Sequence, residues 1–242
     1  MAERKQPRVS LGPLTAFANA GFRRAYSQVR VDEHKYLKQV RRAYKLPVES
    51  WPQMLHLEPA VIAPIAQNTI ADSSKLAALE GAGLGIGSFL TAVPGMGILA
   101  TITLRMLQKL SLLHGFEYSS EAENVQLWIA AASAAGLDLG HDFLGKQAAE
   151  QVVPRIIDRI AVRVGQDVAE NWAGRIIPVV GMAAGAAINY YFVRAWGRRA
   201  QSHFAKRHRA VRERLEAPTV AAPLSAVALY GGQPYNLPDR AT

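Results

Sequence analysis

The chain has 242 residues, is half apolar and 19% charged, carries a net charge of +9 and contains no cysteine. That length and apolar content support a substantial buried core, while the missing thiols exclude a disulfide scaffold, a cysteine nucleophile, thiolate-held iron–sulfur clusters and the usual zinc ribbons. Near Met1, the residues Phe17, Phe22, Tyr26 and Val31 are interleaved with Arg23, Arg24 and Arg30 instead of forming an apolar run, so no secretory leader is read there and an intracellular location is expected.

The positive charge is concentrated at two places. Residues 1–50 hold 11 Lys and Arg against 4 Asp and Glu, and residues 194–214 hold 8 against 1, so the rest of the chain is net acidic. Basic clusters of this kind attract polyanions, either nucleic acid or an anionic membrane leaflet, or form a solvated helix face.

In chain order, residues 14–46 are predicted as a basic helix stopped by Pro47 and Pro52, followed by turns or short helical pieces around Pro59 and Pro64. A short helix over Asp72 to Glu80 leads into the window Gly81 to Leu104, 24 residues without a charge. As one helix this window would run about 36 Å, enough for a hydrocarbon core of about 30 Å. Its glycines, with Pro94 in the middle, predict instead a helix, a break at Pro94-Gly95 and a second helix. Ser120 with Glu123 forms a capping box ahead of the apolar run Val125 to Ala135, and Gly136 supplies a stop.

From Val152 the apolar positions Val152, Ile156, Ile160, Val164, Val168 and Trp172 recur every four residues, with Arg155, Arg159, Arg163 and Asp167 on the other side, which predicts an amphipathic helix entered at Pro154. The 18 uncharged residues Ile176 to Val193 would rise about 27 Å, the lower edge for spanning. Phe192, Trp196, Phe204, Val211 and Leu215 extend that helix into the basic segment. No stretch alternates at strand spacing. The expectation is an all-α fold with a glycine-rich apolar helical hairpin, arranged as a basic N-terminal helical segment (1–58), a helical domain (59–215) and a flexible Pro-rich tail (216–242).

Gly81, Gly83, Gly85 and Gly87, together with Gly181 and Gly185, place small residues four apart, a spacing that lets helix backbones approach closely. Tyr190, Tyr191 and Trp196 beside Arg194, Arg198 and Arg199 read as an interfacial aromatic belt with basic anchors; the alternative is a tightly packed helical core in water. Full crossing by both segments would leave the basic ends inside, yet Arg105 and Lys109 directly follow the first segment, which favours a shallow or re-entrant hairpin as much as a span.

The run "GAGLGIGSFLTAVPGMGILATITLRMLQKLSLLHGFEY", Gly81 to Tyr118, resembles the EcsC protein family, in which a glycine-rich apolar stretch precedes a Leu-Arg helix ending in a Gly-aromatic pair. "RIIPVVGMAAGAAINYYFVRAWGRRAQSHF", Arg175 to Phe204, is similar to that family's second signature. The resemblance covers roughly Pro59 to Lys206. It implies a helical protein and, because the founding member is encoded beside an ABC transporter linked to secretion, an accessory role with no settled activity. The family often carries Asp in the stretch between the glycine-rich segment and the Leu-Arg helix, where this chain has the uncharged Met96-Gly97-Ile98.

Enzyme readings are weaker. The Gly81 to Ser88 stretch fits neither phosphate-cradling template, and no Gly-x-Ser-x-Gly elbow occurs. A metal-dependent phosphohydrolase would use His114, the pair His141-Asp142, and Asp158 or Asp167. His203 and His208, five apart, miss the zinc-pair spacing. Arg198, Arg199, Lys206, Arg207, Arg209, Arg212 and Arg214 could instead track nucleic-acid phosphates. The leading expectation is a membrane-associated, non-catalytic protein on the cytoplasmic face, without metal or cofactor. Arg194, Arg198, Arg199, Lys206 and Arg207 would contact anionic headgroups, and Trp196 would anchor at the interface. A membrane transporter, or self-association through the apolar helices, is the further partner expected ahead of nucleic acid.

Overall fold

A computed structural model describes residues 11–84, 89–138, 149–173 and 181–216. Among them are seven α-helices, one short 3-10 helix (Pro52–His56) and no strand: α1 (Leu11–Gln28), α2 (Glu33–Tyr44), α3 (Pro59–Leu84), α4 (Phe89–Leu113), α5 (Glu121–Ala134), α6 (Ala149–Ala173) and α7 (Gly181–Glu216). The fold is all-α.

The expected basic helix over 14–46 is two helices. Asp32 ends the first run because its carboxylate accepts the Lys35 N–H at 2.9 Å, the N-cap arrangement that starts α2. Buried Gln108 of α4 holds the connection by accepting from the Val31 N–H at 3.0 Å and donating to the Val29 carbonyl at 2.9 Å. The turns expected around Pro59 and Pro64 belong to one 26-residue helix, α3. The break expected at Pro94-Gly95 is absent as well, since α4 runs from Phe89 through both residues, and α6 begins at Ala149 rather than at Pro154. Pro64 occupies the sixth position of α3, which starts at Pro59 after the non-helical Glu58. A proline there removes one intrahelical bond, to the second residue's carbonyl, and leaves the rest of the ladder intact.

Helix ends follow local chemistry. The Ser120 hydroxyl accepts the Glu123 N–H at 3.2 Å and starts α5 as expected. Gly115 (φ +86°) and Gly136 (φ +78°) close α4 and α5 in the left-handed conformation, with Phe116 N–H donating to Ser111 O and Leu137 N–H to Ala132 O. This is the double bond pattern that satisfies the last carbonyls of a helix.

Helix α4 lies at the centre, touching α1, α3, α5 and α7, while α6 closes the ring between α5 and α1. Its Leu104, Met106, Leu107, Leu110, Leu112 and Leu113 are all buried, while Arg105 is exposed and Lys109 half-buried. A helix face this apolar needs protein or lipid against it, and for Leu104, the last residue of the uncharged window, and the buried residues beyond it the surroundings are four other helices. The α6 stripe Val152, Ile156, Ile160 and Val164 faces the core, with Arg155, Arg159 and Arg163 exposed. Phe22 of α1 and Tyr36, Leu37 and Val40 of α2 enter the same core as α3 to α7.

Candidate functional site

Helix α7 has 36 residues, about 54 Å at helical rise, and carries most of the side chains singled out by sequence. It lies antiparallel to α3. At one end Gly81 meets Gly185 so closely that a Cβ on Gly81 would sit 2.5 Å from the Gly185 carbonyl oxygen; midway, Gly197 faces Ile70; at the far end the His208 ring reaches Leu57. The connection 85–88 and residues 174–180 lie outside the described residues, and with them Gly85, Gly87 and the start of the second apolar segment; the surroundings of Gly83 and Gly181 are not described either.

The basic residues of α7 divide by what surrounds them. Arg207 is committed to the fold: it donates to both Glu123 carboxylate oxygens, at 2.7 and 2.6 Å, and its guanidinium lies 3.8 Å from the centre of the Phe116 ring. Arg212 is likewise held, between Glu58 and Glu216. Arg199 is exposed yet donates to the Ala134 carbonyl at 3.1 Å, capping the last turn of α5, where the helix dipole favours a cation. The row of seven cations that could follow nucleic-acid phosphates is therefore interrupted by ion pairs. Lys206 is exposed but stands about 22 Å along the helix from Tyr191.

Arg194 and Arg198 differ. No acidic residue occurs in α7 before Glu213, and among the described residues neither arginine has an ion-pair partner. Arg194 is half-buried, donates to the Tyr190 hydroxyl at 2.9 Å and lies over that ring at 5.7 Å from its centre. Trp196, expected as an interfacial anchor, is 3% exposed. It stacks on Phe22 at 5.9 Å and packs on Phe192 at 5.1 Å. Its position three residues after Val193 turns it into the core together with Ala200 and Phe204, on the face of α7 opposite Tyr191, Ala195 and Arg198.

Of the nine exposed large apolar side chains among the described residues, five lie on the parts of α3, α4 and α7 toward the end where α3 ends and α4 and α7 begin, while Tyr44, Val61, Val162 and Leu215 lie elsewhere. Leu79 is 71% exposed, Tyr191 68%, and Leu76, Ile188 and Ile98 are exposed beside them along the three helices. Glu80, half-buried, is the one charged residue in segments 76–84, 89–98 and 181–193. Farther from this end stand Lys75, Arg105, Arg194 and Arg198. Leu76, Leu79, Ile98 and Ile188 were not picked out by the sequence reading, and Arg105 only for its place after the first apolar segment. The signal available for the first two was their phase on α3, since Ile70, Ser74, Ala77 and Gly81 form its inward face and Leu76 and Leu79 fall off it. Among the described residues no helix is long and apolar enough to cross a membrane.

The residues considered for a metal centre do not converge. His114 is buried, with Nδ1 2.8 Å from the Leu110 carbonyl and its ring stacked on Phe204. Burial holds its pKa down at about 4, with His208 adding to the effect and the Leu110 bond opposing it. Asp158 pairs with Arg23 at 2.8 Å and accepts from Asn19. His141, Asp142 and the side chain of Asp167 lie outside the described residues, and among those described no three His, Asp or Glu are grouped to hold a metal ion. His208, fully buried, places its two ring nitrogens 3.1 Å from the His114 carbonyl and 3.2 Å from that of Leu57, tying α7 to the end of α4 and to the approach to α3.

No curated protein and no solved structure matches the chain. The model of the EcsC protein family does, over residues 22–208, from the phenylalanine that stacks on Trp196 to the histidine that bridges His114 and Leu57. Most of the chain, and six of its seven described helices in full or nearly so, lie within that match: the protein belongs to the EcsC protein family.

Proposed function

We propose that this protein is a helical binding or accessory protein that docks one end of its bundle on an anionic membrane surface. The observation that carries the reading is the grouping of Leu76, Leu79, Ile98, Ile188 and Tyr191 at the end where α3, α4 and α7 meet, with the unpaired Arg105, Arg194 and Arg198 set back from it. Apolar side chains of that size favour transfer out of water by about 1.5–3 kcal/mol each when fully buried, and a basic side chain near an anionic surface adds about 1 kcal/mol, screened by salt. Leu79 and Tyr191 alone, with two arginines, therefore supply several kcal/mol, in the range of reversible attachment.

Docking of this kind is peripheral. The tip enters the headgroup boundary by a few ångströms while α4 stays inside its ring of helices. The test is sedimentation with phosphatidylcholine vesicles, with and without an anionic lipid, at low and high salt. The expected result is binding to the anionic vesicles that weakens with salt and is lost in the doubly substituted Leu79→Glu, Tyr191→Glu protein, whose changes lie on the surface and leave the thermal transition in place. Equal binding by that variant, or no binding to anionic vesicles at low salt, overturns the reading.

A further inference from the structure

Helix α2 and its cap carry five cations, Lys35, Lys38, Arg41, Arg42 and Lys45, all exposed, and after Glu33 at the first position no acidic residue. Among the described residues none of the five has an ion-pair partner. The apolar side of the helix is already used, since Tyr36, Leu37 and Val40 are buried. Three contacts fix where α2 sits: the Tyr36 hydroxyl lies 3.2 Å from that of Thr69, the Tyr44 hydroxyl accepts from Asn68 Nδ2 at 2.9 Å, and Lys109 Nζ stands 5.2 Å from the centre of the Tyr36 ring. On α3, Leu76 and Leu79 fall about 80° and about 20° round the helix from Asn68, inside the roughly 100° sector between Asn68 and Thr69. They therefore continue, about 10–17 Å farther along, the strip of α3 that α2 covers. Asp72, the exposed acidic residue on this strip, is paired with Lys75 at 3.7 Å. On α4, Ile98 and Arg105 share a face with Lys109 in the same way. Helix α7 packs on the opposite face of α3, against Ile70 and Gly81.

We infer that α2 is a second point of contact with an anionic membrane, so that the docked bundle leans from its apolar end onto the side formed by α2, α3 and α4; this rests on the docking reading above. A bilayer offers a counterpart to both parts of that side, the acyl boundary for Leu76, Leu79 and Ile98 and anionic headgroups for α2. A nucleic acid offers phosphates to α2 but no apolar counterpart to the leucines beside it. Beyond the apolar end a flat surface can follow only one side of α3. Contact through α2 therefore turns the far half of α7, with the exposed Lys206 and Arg209, away from the lipid.

The experiment compares two double charge reversals of the full chain, Lys38→Glu with Arg42→Glu on α2 and Lys206→Glu with Arg209→Glu on α7, which change the net charge equally. On vesicles of phosphatidylcholine and phosphatidylglycerol, the α2 pair should weaken binding about tenfold or more and the α7 pair less than about threefold. Equal weakening by both pairs reduces the attraction to net charge and overturns the α2 contact while leaving docking standing. Wild-type protein that binds no anionic vesicle, by contrast, overturns docking itself. Because the chain has no cysteine, single Lys38→Cys and Arg209→Cys proteins each take a fluorophore at one place. A lipid with a nitroxide on its headgroup should quench the label at position 38 and not the one at 209. Quenching of bound protein at both positions, at neither, or at 209 alone overturns the orientation. Binding to a short DNA duplex that the α2 pair abolishes, with vesicle binding unchanged, assigns the basic face to nucleic acid and overturns the inference as well.

Discussion

Substitution of Gly81 by alanine isolates the close approach of α3 and α7. In an exposed helix interior this change is favourable by about 0.8–1 kcal/mol, because alanine loses less backbone entropy on folding. At Gly81 the added Cβ would stand 2.5 Å from the Gly185 carbonyl oxygen, 2.8 Å from its carbon and 2.7 Å from Asn189 Nδ2. The first two are backbone atoms of α7, and relief requires the helices to part by several tenths of an ångström along a face that also holds Gly197 against Ile70. Overpacking of this kind costs about 1–3 kcal/mol, toward the upper end where backbone cannot yield. The propensity gain offsets only part of it, so Gly81→Ala should destabilise by about 1–2 kcal/mol. Gly97, inside α4, has nothing within 4 Å of its would-be Cβ, and Gly97→Ala should stabilise by up to about 1 kcal/mol. Urea unfolding of the two variants in parallel reads the difference directly, and thermal midpoints should move in opposite directions by about 2–4 °C per kcal/mol. If Gly81→Ala stabilises as much as Gly97→Ala, the helices do not cross where the structure places them.

Three further expectations follow from side chains that the sequence reading assigned to lipid or metal. Trp196→Ala should lower stability by about 3–5 kcal/mol, as for a large core residue, and Trp196→Phe by less; an unchanged unfolding midpoint with weakened vesicle binding would return Trp196 to the interface. Arg207→Lys should behave nearly as badly as Arg207→Ala in urea unfolding, a loss of about 1–3 kcal/mol, because a lysine reproduces neither the paired bonds to Glu123 nor the stacking on Phe116. The depressed pKa of His114, about 4 against an ordinary value near 6.5, makes its contribution to stability complete above pH 6.5 and lost as pH falls toward 4. The full loss is roughly 3 kcal/mol. Unfolding followed from pH 7 to 4.5 should therefore show a steeper decline in the wild type than in His114→Gln, and parallel curves would refute the assignment.

How much of the fold was legible depended on whether the deciding contact was local. Ser120 and Gly136 bound α5 through partners within five residues, so both ends could be read directly. The four-residue recurrence Val152, Ile156, Ile160, Val164 matched the buried face of α6 for the same reason. Misreadings arose at prolines, where the penalty for a helix interior was applied to Pro64, Pro94 and Pro154. All three lie inside helices, where a proline removes the one bond its own N–H would make while the long remainder of the helix packs on neighbours. The division of the first basic helix at Asp32 depended on Gln108, 77 positions away in sequence, gripping Val29 and Val31. No window around residue 30 contains that information.

The candidate site was legible in composition and not in direction. Charge counting found the basic stretch 194–214, but whether an arginine there is available to an outside anion is decided by Glu123, Glu58 and the end of α5, none of them near it in sequence. Hydropathy found the window 81–104, yet a helix surrounded by helices and one surrounded by lipid need the same residues. The part of that window in the second half of α4 supports the core: Leu104 and its neighbours are apolar because α1, α3, α5 and α7 stand around them. What bears on an external apolar surface is the much smaller set that packing leaves uncovered. Leu79 and Tyr191 have no core to fill, and the bundle would lose little stability with polar residues in their place. Solvent-facing apolar side chains that sit singly need no explanation; a group of them on three adjoining helix ends, with arginines behind and no acidic residue on α7 for more than twenty positions beyond, sets an orientation toward whatever surface they meet.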